Sequence, residues 1–137
     1  MRIAITLARY LLGLVFTVFG LNFVFNFLPA PDFGERAMSL FGALVGSGYL
    51  MQVEKLFEVV AGALLLLGLY VPLALTLLAP LVVNILLFHV FLAPEGLPVA
   101  ILVLALELFL VWGYRSAFGG VLQARVQPQA SRARGST

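Results

Sequence analysis

Apolar runs about as long as a bilayer is thick follow one another along almost the whole chain, at residues 7–28, 50–70, 73–93 and 97–112. A helix needs roughly 20 apolar residues to cross a hydrocarbon core ~30 Å thick. The first three runs meet that length. The fourth is shorter, but it continues to Tyr114 before its first strong charge, Arg115. The expected fold is all-α: an integral membrane four-helix bundle over residues 1–122, with a disordered cytoplasmic tail over 123–137. Composition supports lipid as the solvent, because 63% of residues are hydrophobic and 10% charged, against about 45–50% and about 25% in soluble domains.

The run at 7–28 is flanked by Arg2 and Arg9, as a signal peptide would be. It is longer than the roughly 7–15 residues of a typical h-region, and no small-residue cleavage site follows it. It is therefore expected to be a retained span. The chain has no cysteine, which excludes disulfides and thiolate metal sites within it. Six of its eight basic residues lie towards the chain ends rather than in a patch, so nucleic acid is not an expected partner.

Arg2 and Arg9 precede the first span, and Arg115, Arg125, Arg132 and Arg134 follow the last. Four spans put both termini on one side, and the positive-inside rule makes that side cytoplasmic. The expected location is a bacterial inner membrane, crossed several times. Pro29 and Pro31 are expected to end the first helix. Between the first two spans, Phe33, Ala37, Leu40, Phe41 and Leu44 recur at helical spacing. That pattern predicts a short amphipathic helix over 33–45 at the outer interface, closed by Gly46, Ser47 and Gly48. Pro72 opens the third span and Pro80 lies inside it, where it removes a backbone hydrogen bond.

Polar residues inside a span are costly and point to function. Counted along the helices, Asn22, Asn26, Glu54, Lys55, Glu58, Asn84, His89 and Glu107 all fall in the outer half of the membrane. Asn22 and Asn26 share a helix face, as do Glu54 and Glu58, and Lys55 is spaced to pair with Glu58. Asn84 and His89 are about 140° apart around their helix, which counts against a single site. Glu107 has no basic residue within two turns. In its neutral form it can donate a hydrogen bond to Asn84, to a carbonyl or to a ligand. The expected ligand or proton pocket comprises Asn22, Asn26, Lys55, Glu58, Asn84, His89 and Glu107. The structural alternative is that these groups simply hold helices together. A lone histidine does not make a metal site, so no metal is expected.

Residues 11–22 (LLGLVFTVFGLN), 47–50 (SGYL), 57–62 (FEVVAG) and 79–89 (APLVVNILLFH) resemble the DoxX family of small four-helix membrane proteins. The likeness covers about residues 5–122, and the Ala-Pro…Asn…Phe-His stretch is its most specific part. The resemblance implies an outer connection with a short helix. It also implies a link to redox metabolism. The family's name comes from a membrane subunit of a thiosulfate:quinone oxidoreductase, and bacterial relatives work with soluble redox partners in oxidative stress. More distant eukaryotic relatives are cargo receptors or receptor chaperones.

The leading expectation is an accessory membrane protein of redox metabolism that holds a quinone-like or other small amphipathic ligand. His89, Asn84 and Glu107 would donate to its carbonyls, and Glu58 would relay protons. No motif for an intrinsic redox cofactor is present, so electrons would come from a soluble or membrane partner. An accessory role is thus expected more than stand-alone catalysis. The lipid bilayer and a second copy of the chain complete the expected partners. The alternative expectation is a non-enzymatic small-solute transporter, or a chaperone or scaffold for another membrane protein.

Overall fold

The computed structural model describes residues 1–129, and the greater part of the tail expected over 123–137 lies outside the described residues. Residues 123–129 carry no helix or strand. The described residues form five α-helices and no strands: α1 (Arg2–Phe25), α2 (Glu35–Gly46), α3 (Leu50–Leu67), α4 (Val71–Phe91) and α5 (Leu97–Gly113). Short 3₁₀ turns occupy Pro94–Gly96 and Arg115–Phe118. Three stretches are long and apolar enough to cross a membrane, namely Arg2–Phe25, Val71–Phe91 and Pro94–Gly113. These mark a multi-pass membrane protein.

The helix boundaries have local causes. α1 ends at Phe25, before either proline. Asn26 takes the left-handed conformation (φ 50°), and its N–H bonds the carbonyl of Asn22 at 2.8 Å. The Asn22 side chain then accepts from the N–H of Leu28 at 2.7 Å. An asparagine pair therefore closes this helix, since Asn tolerates the left-handed region better than most residues. α3 ends on Gly68 at φ 70°, a conformation that costs glycine little. Pro72 sits in the first turn of α4 and Pro98 in that of α5, where a missing N–H is harmless.

α1, α3, α4 and α5 close into a ring in which each helix touches the next, with α1 opposite α4 and α3 opposite α5. The closest seam is α1 against α3, and the thinnest is α1 against α5. The α1–α3 seam is tight because glycines face it. A Cβ on Gly62 would lie 2.8 Å from the backbone nitrogen of Thr17 and 2.9 Å from the carbonyl oxygen of Gly13. Small residues let backbones approach where hydrophobic collapse offers no drive between helices in lipid. The interior is filled by Leu12, Phe16, Leu65, Leu75, Leu78, Val82 and Leu110.

At the end of the bundle where α1 starts and α5 finishes, Arg9 on α1 donates from Nη1 to the carbonyl of Leu65 in the last turn of α3. That places a cation where the α3 dipole is negative. At the other end, α2 buries Ala37 completely. Phe33 and Phe41 pack on Phe88 of α4, with ring centroids 5.6 and 5.2 Å away. Of the apolar positions read at helical spacing, Leu40 instead stays exposed.

Candidate functional site

Two charged residues are buried among the described residues, Glu58 and Glu107, each 3% exposed. They stand on α3 and α5, opposite members of the ring. α3 and α5 both start at the α2 end, while α1 finishes there. Counting from that end, Glu58 lies about 12 Å in and Glu107 about 15 Å. Thr17 on α1 is also about 12 Å in by this count, and its Oγ1 is buried without a partner. The interior polar atoms thus form one layer near mid-height of the bundle.

The two carboxyls differ in what surrounds them. Lys55, one turn earlier on α3, reaches both oxygens of Glu58 at 3.0 and 3.2 Å. This pair shields the Glu58 charge from the apolar interior. Both oxygens of Glu107 are buried with no hydrogen-bond partner. A buried polar group left in that state costs free energy, so its presence calls for a cause. Its capacity to donate or accept hydrogen bonds is unused by the protein.

The other expected site residues are not gathered with these two. Asn22 is committed to the α1 terminus, and Asn26 is exposed there. His89 donates from Nδ1 to the carbonyl of Ala93 at 3.0 Å, and its ring packs edge-on against Phe33 and Phe88. It therefore ties α4 to the loop that follows. Asn84 is exposed on the outer surface of α4. Of the seven expected residues, Lys55, Glu58 and Glu107 are the ones that address the interior.

A shallow open depression of ≈ 680 Å³ lies elsewhere, lined by Glu35, Arg36, Ser39, Leu40, Ala43 and Leu92. None of the seven residues lines it.

Thr17 and Arg9 were not read as site or packing residues from sequence. A signal for Thr17 was present, because Gly13 and Thr17 stand four apart on one helix face, as small residues do at a helix–helix contact. Arg9 carried no signal beyond its charge, since its partner is a backbone carbonyl 56 positions away.

Fold and site together define a small all-helical multi-pass membrane protein with carboxyl groups inside its helix ring. No family model, no curated protein and no solved structure matches the chain. The likeness to DoxX proteins therefore rests on the sequence segments alone.

Proposed function

We propose that the protein is a four-span membrane protein of the DoxX type that holds a quinone-like or other small amphipathic ligand inside its helix ring, as an accessory of redox metabolism. In this reading α3 is the fourth span, despite its charges at Glu54, Lys55 and Glu58. Its closure of the ring between α1 and α4 supports that role. Both termini face the cytoplasm, as the arginines at the chain ends suggest.

The observation that carries the reading is Glu107. It is a carboxyl held 97% out of solvent, and the protein supplies neither of its oxygens with a partner. A ligand carbonyl or hydroxyl meeting Glu107 would satisfy it, with the apolar walls of the ring around the remainder. The Lys55–Glu58 pair, nearer the α2 end, lies where protons released or taken up by a quinone would exchange with water. The chain has no cofactor motif, so a separate redox protein would move the electrons.

Extraction of the purified full-length protein, followed by mass spectrometry, tests this. Quinone should copurify in near-stoichiometric amount. Glu107→Gln, which keeps the shape of the side chain, should lower the yield by about an order of magnitude. Quinone at the level of a control membrane protein, or a yield unchanged by Glu107→Gln, would remove the ligand reading and leave a helix bundle.

A further inference from the structure

We propose that Asn84 is the centre of a self-association surface, on which a second copy of this chain docks through α4 about a two-fold axis parallel to the membrane normal. Asn84 is exposed on α4, between exposed Pro80, Val83 and Leu87. It takes part in none of the side-chain hydrogen bonds among the described residues. It stands seven residues before the end of α4, about 10 Å inside the helix. With α4 spanning the bilayer, that depth is within the hydrocarbon, where neither water nor acyl chains can bond a carboxamide. The neighbouring hydroxyl on this surface, Thr76, has solved the same problem locally by donating to the carbonyl of Pro72 at 2.8 Å. Asn84 makes no such bond to the carbonyl four residues before it, that of Pro80.

The identity of the partner follows from geometry and from the chemistry of the amide. Every copy of the chain inserts with the same topology, so every Asn84 lies at one depth. A carboxamide carries both a donor and an acceptor. Two of them facing across a two-fold axis satisfy one another, and an isologous contact requires no second patch. The flanking Pro80, Val83 and Leu87 carry no charge and no long flexible side chain, so two α4 helices can approach closely enough for the amides to meet. An unrelated membrane protein would need its own polar group at this depth. The proposal rests on α4 being a span and is independent of any ligand at Glu107, which faces the interior of the ring.

The absence of cysteine makes the test direct, because one introduced thiol is a unique reporter. The full chain carrying Val83→Cys or Leu87→Cys would be reconstituted at high lipid-to-protein ratio and oxidised. Both variants should give a disulfide-linked dimer. Leu14→Cys, on α1 across the ring and also exposed, should give little. Adding Asn84→Leu should reduce dimer from Val83→Cys by roughly tenfold, the loss of two mutual hydrogen bonds. It should do so without harming the fold, since leucine suits the lipid face better than asparagine. Adding Glu107→Gln should leave the dimer unchanged. Equal crosslinking from Leu14→Cys and Val83→Cys, no crosslinking at either α4 position, or a dimer indifferent to Asn84→Leu would overturn the proposal.

Discussion

Lys55 grips both oxygens of Glu58, at 3.0 and 3.2 Å, from one turn away on the same helix. Glu58 is buried whereas the Lys55 side chain keeps 21% of its surface exposed. The lysine thus extends along its own helix to neutralise an interior acid while its stem remains near the surface. Removing one partner of such a pair leaves an uncompensated charge. Lys55→Met is expected to destabilise the protein by about 3 kcal/mol, and Lys55→Met with Glu58→Leu to recover most of that. Unfolding in mixed detergent–SDS micelles measures both. If the single and double variants lose the same stability, the pair has no structural role.

Glu107 predicts the opposite sign. Its carboxyl is buried without partners, so its removal relieves a cost rather than breaking a bond. Glu107→Leu is expected to raise the stability of the ligand-free protein by about 1–3 kcal/mol. The same change should abolish any quinone retention. Stability gained with function lost is the signature of a group kept for binding. The same unfolding titration, paired with quinone extraction, reads both effects.

Helix approach at the α1–α3 seam gives a position-specific contrast between two glycines. A side chain at Gly62 would collide with the backbone of α1 at Thr17 and Gly13, whereas a Cβ at Gly42 meets nothing within 4 Å. Gly62→Val should force the helices apart and cost about 1–3 kcal/mol. Gly42→Ala, inside α2, should stabilise slightly, by about 0.5–1 kcal/mol, because alanine is the better helix former. A loss at Gly42 as large as that at Gly62 would contradict this packing.

His89 sits against Gly96 so closely that its ring occupies the space of any Cβ there. Gly96→Ala must therefore push the imidazole away from the Ala93 carbonyl and from the Phe33 and Phe88 rings. The expected result is a loosened α2 end with an intact bundle. Protease cleavage between α1 and α2 should be faster by several-fold, while the SDS unfolding midpoint changes little. His89→Ala should resemble it, since both break the same tie.

The helices were legible because bilayer thickness sets their length. The runs read at 7–28, 50–70, 73–93 and 97–112 correspond to α1, α3, α4 and α5, displaced by a few residues at their ends. The largest displacement is at the start of α1, where Arg2 is helical because a surface arginine does not stop a helix. The short helix after the first span was legible as well, through Ala37, Phe41 and Leu44, although it runs Glu35–Gly46 rather than 33–45 and leaves Phe33 outside it.

The arrangement of the polar residues was only partly legible. Depth could be counted from sequence, so the position of Glu58 and Glu107 well inside their helices was available. The Lys55–Glu58 pairing followed from spacing alone, since both residues belong to one helix. Direction around each helix was not available. In water, an apolar stripe reveals which face is inside. In lipid, the outside is as apolar as the core, and α4 and α5 are hydrophobic nearly all the way round. Sequence therefore fixed how deep Asn84 and Glu107 lie. Only the packing of α4 and α5 against their neighbours decided that Glu107 turns into the ring and Asn84 out of it, because rotation about a helix axis is set by side-chain contacts between helices and not by the pattern along one.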